Sequence, residues 1–245
     1  MKHRFYAFLV HFSLSCTVAG LAVMLVFFCW YPAPLHEAIG VTYIFLMLLA
    51  IDITIGPLLT FLVYKPGKPS LKFDLSTIAL CQLMAFSYGM MAVFEGRPAF
   101  IVFSVDRFDV VRALDIDAGS AKKAETSVKP LAKVSWFKPR WVGAVASPDI
   151  ERRNEIAFSS LKGGPDWPQL PELYVPLEQL KNPMLTKAKP LAQLKALSGH
   201  DYEILLKEQG ETVKWLPLHS RNKDMTVLIN GTTASVIRVI AVDPW

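Results

Sequence analysis

Three long apolar stretches occupy the first part of the chain, and charged side chains gather in the short segments around them. The stretches cover residues 5–31, 40–64 and 75–94. Each is close to the roughly 20 residues that an α-helix needs to cross a hydrocarbon core. The pattern therefore predicts an α-helical membrane part with three transmembrane helices within residues 1–98.

The composition changes after this part of the chain. From residue 99 onward charged residues and prolines are frequent, and the apolar runs are short. Runs rich in β-branched and aromatic residues predict strands, and Asn230-Gly231 between the last two runs indicates a hairpin turn. The predicted strands lie at 99–105 (continuing into 106–108), 141–146, 213–219, 225–229 and 234–242.

Helices are predicted between these strands. Ser147-Pro148-Asp149 is typical of a helix start and Gly163-Gly164 of a helix end, which predicts a helix over 148–161. Shorter helices are predicted at 190–197 and 200–208, and residues 118–133 are predicted to form an exposed loop. Residues 99–245 are thus predicted to form an α+β domain, with an antiparallel sheet of about five strands and helices on one face.

The basic residues around the apolar stretches predict the orientation in the membrane. Lys and Arg occur in segments 2–4 and 65–72, whereas the link 32–39 contains neither. Because positive charge is retained on the cytoplasmic side, we expect a cytoplasmic amino terminus and three crossings. Residues 99–245 would then lie in the periplasm of a bacterium, with the helices in the inner membrane.

A cleaved signal peptide is the alternative explanation for the first stretch. Its apolar run is longer than the roughly 7–15 residues of a signal sequence core, and no small-x-small cleavage site follows. We therefore expect it to be retained as a helix. The three cysteines, Cys16, Cys29 and Cys81, all lie in apolar stretches, so residues 99–245 cannot form a disulfide. A bacterial periplasmic domain tolerates this.

The net charge of +5 is explained by topology and by attraction to anionic lipid headgroups, so membrane lipid is a predicted partner. No basic stripe with interleaved aromatic residues indicates nucleic-acid binding. Catalytic, metal and cofactor motifs are also lacking, and the thiols lie in the apolar stretches. His200-Asp201 could be half of a catalytic triad or a metal site, but a solvated helix start explains the pair equally well. We predict a protein that is not an enzyme.

Polar and small residues inside the apolar stretches are the candidate functional residues. Asp52 is the most informative of them, because an acid at the centre of a membrane helix costs about 2.5–3.5 kcal/mol unless it faces protein, water or a partner. Small residues let helices approach closely. The spacing of these polar and small residues places them on a common stripe of the helices. The stripe either packs the three helices together or docks the membrane helix of a client. Proton transport by a lone acid has less support. The predicted contact residues are Thr17, Gly20, Asp52, Gly56, Pro57, Gln82 and Gly89.

A second group of candidates lies where the chain leaves the third helix. Glu95 and Arg97 mark the membrane interface, and Pro98 disfavours helical geometry at the residue before it. Asp106 and Arg107 follow at the end of the first predicted strand. We expect these five residues to hold the second domain at a fixed height above the bilayer.

Short motifs run in a fixed order along nearly the whole chain. They are Trp30-Tyr31-Pro32-x-Pro34-Leu35, Asp52-x-x-x-Gly56-Pro57-Leu58-Leu59-Thr60, Lys72-x-Asp74-Leu75, Gln82-Leu83, Tyr88-Gly89, Arg97-Pro98, Asp106-Arg107-Phe108, Gly163-Gly164-Pro165-Asp166 and Leu170-Pro171-x-Leu173-Tyr174. With these motifs the chain resembles the type IV pilin accessory proteins of the TfpX/TfpZ type, which are related to the FimB proteins.

The resemblance implies an inner-membrane protein that assists the stability, assembly or surface delivery of a particular type IV pilin. It implies the cognate major pilin as partner, and it brings no active site. Two other classes remain open. One is a membrane-anchored envelope enzyme such as a pilin-modifying transferase, and the other is a structural subunit of a membrane complex.

Overall fold

The computed structural model describes residues 1–126, 130–198 and 212–245. It divides into two units: Met1–Pro32 with Val41–Gly96, called here the helical unit, and Ala33–Gly40 with Arg97–Trp245, called the sheet unit. The predicted division at residue 98 left the link 33–40 with the membrane part, whereas in the structure it packs with the second unit. The predicted helix 200–208 and the His200-Asp201 pair lie outside the described residues.

The helical unit confirms three long apolar helices at the amino-terminal side. In the described part of the chain, three helices are long and apolar enough to cross a membrane. The third of them packs against the second, and the second against the first. The helices of this region, with the short one that belongs to the sheet unit, are α1 (Lys2–Met24, continuing as a π-helix over Leu25–Trp30), α2 (Leu35–Ile39), α3 (Val41–Val63) and α4 (Leu71–Glu95).

The sheet unit is built on one sheet, with β5 paired to β6 and the other strands in the order β4-β3-β1-β2-β6-β7-β8. The strands are β1 (Pro98–Ser104), β2 (Arg107–Arg112), β3 (Arg140–Ala144), β4 (Tyr174–Val175), β5 (Lys189–Pro190), β6 (Val213–His219), β7 (Met225–Asn230) and β8 (Val236–Ile240). The helices are α5 (Ala118–Thr126), α6 (Ile150–Leu161), α7 (Lys181–Lys187) and α8 (Leu191–Ser198).

The sheet is mixed, so the prediction of an antiparallel sheet was wrong in this respect. Strand β1 is antiparallel to β2 but parallel to β3, with Phe100–Phe103 beside Arg140–Gly143. Strand β2 is parallel to β6. Parallel neighbours require a long crossover connection, and α5 lies in the part of the chain that connects β1, through β2, to its parallel neighbour β3. Periodicity within a strand carries no information on the direction of its neighbour.

The first predicted strand is two strands. The chain reverses at Val105, which adopts φ 57°, and the N–H of Asp106 donates to the carbonyl of Ser104 at 2.6 Å. A β-branched residue at positive φ is unusual, so Val105 carries no turn signal that could have been recognised. Two further strands, β4 and β5, have two residues each and are too short to show a periodicity.

Residues 118–126 form a helix where a loop was predicted. Asp117 accepts a hydrogen bond from the N–H of Ser120 at 2.6 Å, and Ala124 is buried. Alanine and lysine are strong helix formers, and this local preference prevails although only a narrow apolar face exists. Helix α6 begins two residues later than predicted, because Asp149 caps it by accepting from the N–H of Glu151.

Both faces of the sheet are covered, whereas helices were expected on one face. Alternate residues of β1 point to opposite sides of the sheet. Phe100 and Val102 join a cluster with Ile156 of α6, whereas Ile101 and Phe103 join a second cluster. That second cluster includes Met184 of α7 and two residues of the link between α1 and α3. Its members are Leu35, Ala38, Ile101, Phe103, Phe108, Met184, Leu216, Leu218, Met225, Val227, Ile229 and Ala234.

Polar contacts also attach the link 33–40 to the sheet unit. The carbonyl of Ala38 accepts hydrogen bonds from the hydroxyl of Ser220 at 2.7 Å and from the N–H of Asn222 at 3.0 Å. The side-chain amide of Asn222 donates to the carbonyl of Glu37 at 3.0 Å. The link is therefore a structural part of the sheet unit, although about sixty residues of sequence separate it from β1.

Candidate functional site

A polar cluster joins the three long helices of the helical unit. His11 of α1 lies with Nδ1 2.7 Å from the hydroxyl of Thr60 on α3 and with Nε2 2.9 Å from Oε1 of Gln82 on α4. Nε2 of Gln82 donates to the hydroxyl of Ser15 at 3.1 Å and to the carbonyl of Asp52 at 3.0 Å. Gln82 thus bonds to both other helices.

The donors and acceptors of this cluster fix one another. A carbonyl can only accept, so the bond to the Asp52 carbonyl sets which atom of the Gln82 amide is the nitrogen. Oε1 of Gln82 then accepts from Nε2–H of His11, and in the neutral ring Nδ1 accepts from the Thr60 hydroxyl. Interhelical hydrogen bonds of this kind stabilise membrane helix pairs by roughly 0.6–2 kcal/mol each. The cluster therefore holds the helices in one arrangement.

Gly56 makes room for the Gln82 side chain. A Cβ added at Gly56 would overlap the Gln82 amide, so only glycine lets the side chain lie across α3 at this level. The neighbouring Pro57 is buried inside α3. Proline lacks the N–H that would bond one turn back, and here the helix continues through it. Among the predicted contact residues, Asp52, Gly56, Pro57 and Gln82 thus lie close together.

A cleft of about 150 Å³ opens between α1 and α4 beside this cluster. Asp52 contributes to the cleft from α3 and is partly exposed there. Its carboxylate lies near Gln82 and His11. The remaining walls are mainly apolar: Leu14, Val18, Ala79, Leu83 and Phe86, with His11, Ser15 and Gln82. The arrangement offers hydrogen-bond acceptor capacity on an otherwise apolar surface.

The other predicted contact residues lie elsewhere. Thr17 and Gly20 are exposed on α1, and a Cβ added at Gly20 would meet nothing within 4 Å. Gly89 of α4 packs against Leu48 of α3 so closely that an added Cβ would lie 2.6 Å from the Leu48 methyl groups. Gly89 therefore serves the packing of α3 on α4, whereas the Thr17 and Gly20 face is not used within the helical unit.

The predicted junction residues serve the two units separately. Glu95 ends α4 and is exposed, and Pro98 opens β1, so two residues, Gly96 and Arg97, connect these elements. Arg97 is buried in the sheet unit, where its carbonyl accepts from the N–H of Ala113 at 2.9 Å. Asp106 is exposed in the turn after β1, and Arg107 forms an ion pair described next. The structure does not bring these residues into one cluster.

Arg107 belongs to a groove of about 370 Å³ in the sheet unit. Its Nε donates to Oδ1 of Asp109 at 3.2 Å, and the Ser104 hydroxyl donates to Oδ2 at 3.2 Å. Burial raises the pKa of the Asp109 carboxyl, and Arg107 opposes this effect. Within residues 1–126, 130–198 and 212–245, no three His, Cys, Asp or Glu side chains are grouped to hold a metal ion.

Three residues of the intramembrane cluster, His11, Ser15 and Thr60, were not among the predicted contact residues. A signal for them was present. His11 and Ser15 are four residues apart, which places them on one face of a helix, and a histidine inside an apolar helix is as unusual as an aspartate. The face with Thr17 and Gly20 was favoured instead because it carries more small residues.

The chain is similar in sequence to known fimbrial assembly proteins. A family model described as fimbrial assembly protein FimB matches residues 1–40. The chain is also 30% identical over 245 residues to a fimbrial assembly protein, serogroup I, of Dichelobacter nodosus, with 96% of this chain and 94% of that protein covered. The chain belongs to the FimB fimbrial assembly protein family.

Other FimB relatives agree with this membership. A fimbrial assembly protein of serogroup E1 from the same organism is 29% identical over the same length, with the same coverage. A third, of serogroups C1 and C2, is 40% identical over 109 residues, which cover 44% of this chain and 83% of that protein. No solved structure matches. Family membership implies a role in pilus biogenesis, and the resemblance drawn from the motifs is confirmed at the level of the FimB family.

Proposed function

We propose that this FimB-family protein is an inner-membrane accessory protein of the TfpX/TfpZ type that holds a specific type IV pilin before its assembly. Its helical unit would contact the membrane helix of the pilin, and its sheet unit would contact the globular head. The observation that carries the proposal is the cleft beside Asp52, which combines a polar group with apolar walls between two candidate membrane helices.

The cleft is suited to a helical client for a physical reason. The hydrogen bonds that join the three helices use the side chains of His11, Ser15, Thr60 and Gln82, together with the backbone carbonyl of Asp52. The carboxyl group of Asp52 has the Gln82 amide as its hydrogen-bonding neighbour. A carboxylate can accept several hydrogen bonds, and one neighbouring amide does not exhaust that capacity. A client helix with a donor group would satisfy Asp52 and cover the apolar walls at once.

Two contacts on one protein also suit reversible assistance. Linking two weak contacts raises the effective concentration of the second, so neither has to be strong. A client held in this way can still be released to the growing pilus. An assembly accessory needs this property, whereas a permanent structural subunit does not.

The topology proposed for this function places the amino terminus in the cytoplasm and residues 97–245 in the periplasm. The link 33–40 supports the number of crossings, though not their direction, independently of charge, because Leu35 and Ala38 are buried in the sheet unit. If α1, α3 and α4 all cross the membrane, the link and residues 97–245 must lie on the same side. Two crossings, α3 and α4, separate these two segments in the chain, so both segments would lie on one side. The distribution of Lys and Arg predicts the same arrangement.

Reporter fusions test this topology. We expect a fusion after Lys68 to be active only with a cytoplasmic reporter, and a fusion after Gly119 only with a periplasmic one, since Lys65, Lys68 and Lys72 favour retention in the cytoplasm. Paired alkaline phosphatase and fluorescent protein fusions measure both. Periplasmic activity of the Lys68 fusion would contradict three crossings.

Substitution of Asp52 tests the intramembrane contact. We expect Asp52→Leu to lower the number of surface pili about threefold or more, because loss of one interhelical hydrogen bond costs roughly 0.6–2 kcal/mol. Asp52→Asn should retain most of the activity, since an amide still forms hydrogen bonds. Pili are counted by electron microscopy, with the level of the protein measured by immunoblot. Normal piliation in Asp52→Leu would exclude a contact through this carboxylate.

A further inference from the structure

One surface loop of the sheet unit exposes two adjacent aromatic side chains. In the segment 133–138, called here the aromatic loop, Trp136 is 69% and Phe137 is 58% exposed. Single exposed apolar residues are common on proteins, but neighbouring large aromatic residues indicate a contact surface.

The charges around this loop have one sign. Lys133 and Lys138 are both exposed and flank the aromatic pair, and Arg140 follows. Residues 130–140 contain no aspartate or glutamate. Aromatic residues combined with lysines are typical of segments at the boundary between a bilayer and water.

Hydrogen bonds hold the aromatic loop in one conformation. The hydroxyl oxygen of Ser135 accepts from the N–H of Phe137 at 3.2 Å. The Arg140 guanidinium donates from Nη1 to the carbonyl of Lys133 at 3.0 Å and to that of Pro130 at 2.5 Å. The aromatic side chains are thus presented on an ordered backbone, which lowers the entropy lost on binding.

A further hydrogen bond connects the loop with a residue that closely follows a candidate membrane helix. Arg97 donates from Nη2 to the carbonyl of Ser135 at 3.0 Å. Arg97 is two residues beyond Glu95, the last residue of α4, and two residues of chain span at most about 7 Å. Ser135 of the aromatic loop is therefore connected, through one hydrogen bond and Arg97, to the chain segment that directly follows α4.

From these observations we infer that the aromatic loop is a membrane-interface anchor, with Trp136 and Phe137 inserted at the level of the lipid headgroups. Lys133 and Lys138 contact the phosphates of anionic lipids, and each strengthens membrane binding about fivefold. This inference rests on the proposed crossing of the membrane by α4. The anchor would fix the height of the sheet unit above the bilayer, which was the role predicted for the junction residues alone.

Quenching of a label at the loop tests the anchor. Phe137→Cys and, as the matched control, Leu161→Cys on α6 are made in the full chain after Cys16, Cys29 and Cys81 are replaced by serine; Leu161 is 84% exposed. Each variant carries a fluorescent label and is reconstituted in vesicles of phosphatidylethanolamine and phosphatidylglycerol. We expect lipids with a spin label near the headgroup to quench position 137 about threefold more strongly than position 161, and aqueous iodide to show the reverse order.

The outcomes distinguish a bilayer from a protein as the partner that contacts the aromatic loop. Equal quenching at the two positions would overturn the anchor. Protection of position 137 from iodide without quenching by the labelled lipids would also overturn it, because a protein, either a second copy or a partner, would then cover the loop. Flotation of the protein with the vesicles reports the membrane helices and is expected to be the same for both variants, so failed membrane insertion is recognised separately.

The basic residues allow a second measurement. In Lys133→Gln/Lys138→Gln we expect lipid quenching at position 137 to become nearly equal in vesicles with and without phosphatidylglycerol. With both lysines present, the anionic vesicles should give the stronger quenching. Equal quenching with the lysines present would contradict their role with anionic lipids.

Discussion

Replacement of Gly56 by alanine is expected to lower the free energy of unfolding of the helical unit by about 1–3 kcal/mol, the usual cost of overpacking. The added Cβ would overlap the Gln82 amide, so Gln82 must move. Moving it disturbs its hydrogen bonds with His11, Ser15 and the Asp52 carbonyl together. One methyl group should therefore loosen the contacts among all three helices.

The chain offers a matched control for this substitution. Gly20→Ala adds the same methyl group in α1, where nothing lies within 4 Å, and we expect it to leave stability unchanged or slightly improved. The thermal unfolding midpoint is measured in detergent micelles by circular dichroism. In a Gln82→Ala background Gly56→Ala should cost little, since the clashing amide is gone and the two sites are coupled. Equal midpoints for Gly56→Ala and Gly20→Ala would contradict the packing described.

Replacement of Leu35 by alanine is expected to destabilise the sheet unit by about 2–5 kcal/mol, the usual cost of a buried Leu→Ala change. Leu35 lies in the link between α1 and α3, yet only 3% of it is exposed, within the cluster around Phe103 and Leu216. If the link were an ordinary loop between two membrane helices, the change would have almost no effect.

Limited proteolysis of the full chain in detergent measures this effect. We expect cleavage within residues 97–245 at a lower protease concentration for Leu35→Ala than for the unsubstituted protein. Leu114→Ala is the control, because Leu114 is 53% exposed on the sheet unit and its truncation creates no cavity. Identical cleavage of the two variants would show that the link does not support the sheet unit.

Local sequence patterns predicted the helices and strands of this fold better than they predicted which elements pack or pair with one another. The three long helices follow from apolar length alone, and most strands follow from composition. The direction of neighbouring strands does not, because it depends on connections that are long in sequence. The burial of Leu35 and Ala38 could not be predicted either, because the link has the sequence of a short loop and its partners are far along the chain. Leu35 packs in the cluster with Leu216, and the Ala38 carbonyl bonds to Ser220 and Asn222.

The intramembrane site was predictable in its residue types but not in its geometry. Asp52, Gly56 and Gln82 were identified because polar and small residues are unusual in apolar helices. The sequence could not say which face of α1 meets them, since two faces carry small or polar residues. In the structure, the face of α1 with His11 and Ser15 meets Gln82. The long side chain of His11 reaches the Gln82 amide, whose hydrogen bonds must be satisfied inside the bundle.

Deletion of this protein in a cell that assembles two different type IV pilins tests its central proposed role most directly. If it is a client-specific accessory protein, pili built from its cognate pilin should be lost from the surface, and pili built from the other pilin should remain at normal number. Antibodies specific for each pilin measure both in one culture, and expression of the intact chain should restore the lost pili. Equal loss of both pilus types would indicate a general assembly subunit, and normal numbers of both would contradict the pilin-accessory function and favour an envelope enzyme.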